Sequence, residues 1–110
     1  MKNLSNQKCV PCRGGIPKLT GEQAKVYLVD LNGWLLINDH HIEKEFTFPD
    51  FKSALQFVNL VGEIADLENH HPDIVLAWGK VVVSIWTHKI DGLHENDFIM
   101  ASKIDTIINP

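Results

Sequence analysis

From Phe51 to Leu67, apolar side chains recur at helical spacing. Phe51, Ala54, Leu55, Val58, Val61 and Ala65 form a stripe that Phe57, Leu60, Ile64 and Leu67 widen. The pattern predicts a helix over 51–68 with one broad face buried. Asp50, just after Pro49, can cap its start, and it stops near Asn69. The segment before it has a different period. Ile42, Lys44, Phe46 and Phe48 alternate with Glu43, Glu45 and Thr47, the pattern of a half-buried antiparallel strand. Residues 34–37 read as its hairpin partner across a turn at 38–41. Two more strands, 74–78 and 81–87, flank a turn containing Gly79, and the branched Val81, Val82 and Val83 favour extended chain. Helices close both ends. Thr20 and Gln23 have capping-box spacing ahead of a short helix over 21–30, with Ala24, Leu28 and Leu31 on one side and Gly33 marking its end. After a break at Gly92, a last helix over 94–108 carries Phe98, Ala101, Ile104 and Ile108 on one face. The order α-β-β-α-β-β-α predicts an α+β fold, a four-stranded antiparallel sheet with helices packed on one face.

Length and charge narrow the function classes. A chain of 110 residues is one domain's worth, assigned here to 19–110 behind an irregular arm over 1–18. Such a domain buries a modest core, so self-association is an easy way to bury more. The formal net charge of −4, with Lys and Arg scattered, disfavours a nucleic-acid partner, which would need a basic face. No apolar run is long enough for a bilayer, and residues 1–8 lack an apolar signal core. No membrane partner and a cytoplasmic location are therefore expected. Cys9 and Cys12 form a CxxC pair in a Pro/Gly-rich segment. A redox role, half a zinc site and a merely structural role all stay open for them.

Six histidines are the main chemical feature: His40, His41, His70, His71, His88 and His94. Histidine titrates near neutral pH and moves protons without a cofactor. His70 and His71 sit where the long helix hands over to a strand, and Pro72 pushes His71 toward extended chain. Adjacent side chains in extended chain point to opposite sides. The pair reads either as a site on a rigid frame or as a polar turn. His88 follows Val82, Ser84 and Trp86 on one side of its strand, and is a second candidate or an exposed strand end. Asp97, in the first turn of the last helix, reads as a dipole-favoured surface carboxylate or as a support for a histidine. His40 and His41 fall in the first hairpin turn and read as solvent-exposed unless an oligomer covers them. His94 stands where a capping residue is usual. A zinc cluster of His70, His71, His88 and the cysteines matches no common zinc spacing.

The joint pattern is more specific than its parts. Asp66, His70-His71-Pro72-Asp73, Trp78, Thr87-His88, Gly92-Leu93 and Asp97 resemble the signature of the pterin-4a-carbinolamine dehydratase family. Gly33-Trp34, the stretch from Phe46 to Phe51, and Cys9 to Gly15 with Leu19-Thr20 extend the resemblance over essentially the whole chain, the last in the manner of bacterial members. The resemblance implies a hydro-lyase that removes water from 4a-hydroxytetrahydrobiopterin to give quinonoid dihydropterin during tetrahydrobiopterin recycling. It implies no metal and no other cofactor. His70, His71 and His88 would be the catalytic and pterin-binding histidines, with Asp66, Pro72 and Asp97 in support. Asp66 replaces the family's usual Glu and is one methylene shorter, and His94 replaces a usual Ser or Thr cap. Trp78 fills an aromatic position, as a packing residue. The implied partners are a pterin substrate, a second or further copy of the chain (homodimer or homotetramer), and functionally an aromatic amino acid (phenylalanine) hydroxylase. The alternative is a non-catalytic dimerisation cofactor of a transcription factor, which the acidic chain supports little.

Overall fold

The computed structural model describes residues 17–108, so Cys9, Cys12 and most of the expected arm lie outside the described residues. In chain order the elements are α1 (Gly21–Leu28), β1 (Leu35–Ile37), β2 (His41–Thr47), α2 (Phe51–Glu68), β3 (Asp73–Ala77), β4 (Lys80–Ile85), a 3₁₀ turn (His88–Ile90) and α3 (Glu95–Ile108). The fold is α+β. One sheet, ordered β1-β2-β4-β3 and antiparallel throughout, is covered on one face by the helices.

Period-two burial sets that face. Ile42 and Phe46 of β2 lie opposite Ile85 and Val81 of β4, and all four are buried, as is Val83. Phe57 of α2 packs its ring against Phe46 and Phe48, with centroids 4.6 and 5.2 Å away. Burying a phenylalanine of this kind stabilises the fold by about 1.5–3 kcal/mol. Lys44 shares this apolar face, as its place in the alternation predicts. Its ammonium lies 4.9 Å from the Phe46 ring centroid and 2.9 Å from Asp105 Oδ1 of α3. Trp34 Nε1–H donates to the same carboxylate, so one part-buried cluster ties the first hairpin to the last helix.

Local chemistry fixes the ends of the elements that carry the site. Thr20 and Gln23 form the reciprocal capping box. Asn69 ends α2 in the left-handed region at φ 51°, turning the chain sharply into His70. Asn38 and Asp39 both have positive φ, the pattern of the tight turn that suits the twist of a hairpin. Gly79 passes so close to Phe48 that a Cβ would meet the Phe48 carbonyl oxygen at 2.8 Å. The sequence expectation differs in detail. The first helix ends at Leu28 rather than 30, and Gly33 lies beyond it at φ 84°. His88 belongs to a 3₁₀ turn after β4, and His41 belongs to β2 rather than to the turn.

Asp50 caps α2 by accepting the Ser53 N–H at 2.8 Å, and this bond holds its carboxyl below the ordinary 3.8. A lowered folded pKa contributes stability that is complete above the unfolded value and lost as pH falls through the folded one. Asp50→Asn keeps an uncharged cap. The stability advantage of the wild type over Asp50→Asn should therefore shrink as pH drops below about 4. Thermal melts of both proteins from pH 7 to pH 3 check this.

Candidate active site

Three histidines from two loops converge on one cleft. The turn after α2 supplies His70 and His71, and the start of the 3₁₀ turn after β4 supplies His88. With Asn69, Trp86, Thr87 and Lys89 they line a space of about 410 Å³. The two loops meet because β3 and β4 are paired, Asp73 lying opposite Ser84, which sets the end of α2 beside the end of β4.

His70 is the most constrained of the three. Its Nε2 lies 2.7 Å from Asp97 Oδ1, and its side chain is 11% exposed. Asp97 is fully buried. Its other oxygen, Oδ2, accepts from the Thr87 hydroxyl at 2.9 Å and from the His94 N–H at 2.8 Å. A buried carboxylate persists when such donors surround it. The Asp97–His70 bond places a proton on Nε2, so a neutral His70 ring carries its lone pair on Nδ1.

Asp97 therefore departs from the surface carboxylate that its first-turn position suggests. It is a buried junction of α3, the end of β4 and the histidine loop. It also reaches back from three residues on to accept the His94 N–H, satisfying a donor at the helix start. His71 lines the same cleft but has a different partner. Its Nε2 lies 2.9 Å from Asp66 Oδ1, with both side chains largely exposed. Asp66 and Pro72 do not line the cleft. Exposed pairs of this kind contribute little to stability. Asp66→Ala should move the thermal midpoint by no more than about 3 °C, as read by calorimetry.

The pterin 4 alpha carbinolamine dehydratase family model matches residues 17–107. The chain belongs to this family. A relative from Alkaliphilus metalliredigens is 50% identical over 106 residues, covering 96% of each chain. One from Rubrobacter xylanophilus is 47% identical over 107 residues, covering 97% of this chain and all of its own. Both relatives bear the name pterin-4-alpha-carbinolamine dehydratase provisionally. A crystal structure from Brucella melitensis, described as a transcriptional coactivator/pterin dehydratase, superposes with a TM-score of 0.78 at 32% identity, covering 83% of this chain and 98% of that one.

The sequence reading assigns no aromatic residue to the cleft of this family member and expects Trp78 to pack. Trp78 sits on the β3–β4 turn and is 67% exposed, so it is not a packing residue within the chain. Trp86 lines the cleft instead, its ring 4.4 Å from that of His88. The alternation that groups Trp86 with His88 is the signal for it. His40 and His41 are half-buried rather than solvent-exposed, because their rings pack against Trp86. Asn69 is a further lining residue that the sequence reading takes only as a helix stop. Among the described residues, no three His, Cys, Asp or Glu side chains are grouped to hold a metal ion, and no helix is long and apolar enough to cross a membrane.

Proposed function

We propose that this protein is a 4a-hydroxytetrahydrobiopterin dehydratase, a hydro-lyase of tetrahydrobiopterin recycling. The observation that carries this reading is a histidine held by a buried carboxylate, His70 on Asp97, facing the same cleft as the exposed His88. Family membership supplies the substrate class.

The substrate carries a hydroxyl on C4a and a hydrogen on N5. Its C4a–O bond breaks as the hydroxyl takes up one proton and leaves as water. The N5–H proton is taken by a base, and the freed electron pair forms the C4a=N5 bond of quinonoid dihydropterin. His70 suits the base, because Asp97 directs its lone pair to Nδ1 and stabilises the imidazolium that forms. Protonated His88 suits the acid, and exchange with solvent resets both groups. His71 binds and orients the pterin, with Asp66 holding its ring. Trp86 offers an apolar wall to the flat ring system. Pro72 holds the histidine loop extended. The chemistry needs no metal or other cofactor.

The same reading places the protein in the cytoplasm as a homodimer or homotetramer, serving an aromatic amino acid hydroxylase. It treats residues 19–110 as the working domain behind the arm. Binding of a stable substrate relative, 7,8-dihydrobiopterin, followed by nuclear magnetic resonance of the imidazole and indole groups, tests where the pterin sits. Shifts concentrated at His70, His71, His88 and Trp86 are expected. Saturable shifts that bypass these residues, or no binding, would count against the dehydratase and favour the coactivator activity that the Brucella structure's description includes.

A further inference from the structure

A third histidine–aspartate pair lies beside Trp86, the ring that His88 packs against. His40 Nε2 is 2.7 Å from Asp91 Oδ1. Asp91 ends the His88–Ile90 turn in the left-handed region at φ 48°, and its N–H donates to the His88 carbonyl at 3.1 Å. Asp91 thus holds the His88 backbone with one group and the first hairpin with another. The His40 and His41 rings lie 5.3 and 5.7 Å from the Trp86 ring, and Trp86 in turn lies against His88. His40 Nδ1 is 3.0 Å from His41 Nδ1. With Nε2–H donating to Asp91, a neutral His40 accepts there from the His41 Nδ1–H. The His40 bond, then its charge, with a smaller contribution from Lys18, holds the Asp91 carboxyl below its ordinary range.

We propose that His40 and Asp91 are positioning residues for His88: the pair clamps the 3₁₀ turn and the Trp86 ring between which the His88 imidazole is set. The inference rests on the dehydratase reading for its catalytic consequence. Asp91 is 82% exposed at its side chain, and exposed ion pairs contribute little to stability. The pair is costly to lose only where geometry matters, because displacements near 1 Å at a reacting group cost up to about 10²-fold in rate.

The test compares His40→Ala, Asp91→Ala and Asp91→Asn with the wild type in dehydration of 4a-hydroxytetrahydropterin. Each change is repeated in a His88→Ala background. The His88 imidazole resonance is recorded alongside, because it reports the Trp86 ring regardless of turnover. We expect both alanine variants to lose about tenfold in kcat with a shifted His88 resonance, His40→Ala near the wild-type thermal midpoint and Asp91→Ala lowered by about 4–8 °C because its residue sits at positive φ. Asp91→Asn, which keeps an acceptor for His40, loses less than Asp91→Ala. In the His88→Ala background the His40 and Asp91 effects vanish, because they act through the missing ring. Wild-type rates and an unmoved His88 resonance in His40→Ala would overturn the inference while leaving the dehydratase standing. So would a tenfold loss that persists without His88. An inactive wild type would instead remove the dehydratase reading, and the His88 resonance alone would then decide for or against the clamp.

Discussion

Replacing His70 or His88 with alanine is expected to slow dehydration by about 10²- to 10⁴-fold, the usual cost of losing a positioned acid or base. The two variants should differ in stability. His88 is exposed, and its truncation leaves the fold near the wild-type midpoint. His70 is nearly buried and is one of three donors to Asp97, so its loss leaves a buried oxygen short of a partner. Rates are therefore compared for folded protein, judged by circular dichroism. Because the two histidines act in one elimination, the double variant should be little slower than the worse single one. Near-full activity in both folded single variants would remove the assignment of these residues.

The second large effect is at Asp97. Asp97→Asn should cost a similar 10²- to 10⁴-fold in rate while sparing most of the fold. The carboxamide oxygen can still accept from the Thr87 hydroxyl and the His94 N–H. Its nitrogen then faces His70 Nε2 and donates where the carboxylate accepted. That reverses the tautomer, placing the His70 proton on Nδ1 and removing the lone pair from the cleft. Asp97→Ala acts on the fold as well. It takes the acceptor from all three donors, and at about 1–3 kcal/mol each the two most deeply buried, the Thr87 hydroxyl and the His70 ring, alone cost about 2–6 kcal/mol. That is a large share of the stability of a domain this size. Denaturant melts separate the two variants. A fully active Asp97→Asn protein would show that the His70 tautomer plays no part.

The architecture was legible because local signals and periodicity agreed. Asp50 and Asn69 bound the long helix where the sequence placed it. The alternation from Ile42 to Phe48 put even Lys44 on the correct face, although the reason, Asp105 waiting on α3, is sixty-one residues away. The site was legible only as a list of histidines. Periodicity shows that Asp97 lies in a first helical turn. It does not show that Thr87, His94 and His70 converge there, because those contacts depend on how α3 docks against β4. His40 and His41 looked solvated for the same reason. A turn position says nothing of what the neighbouring strand presents, and here it presents Trp86. Trp78 and Trp86 both sit near β-turns or strand ends, and only the pairing of β3 with β4 decides which one reaches the histidines. The 3₁₀ turn at His88 is a three-residue element, too short for any period to reveal.

The most direct measurement follows freshly generated 4a-hydroxytetrahydropterin by its ultraviolet absorbance, with and without the purified protein, at neutral pH. The account predicts decay to quinonoid dihydropterin that accelerates in proportion to protein concentration and returns to the spontaneous rate when folded His70→Ala/His88→Ala protein is used instead. Spontaneous decay unchanged by folded wild-type protein would contradict it.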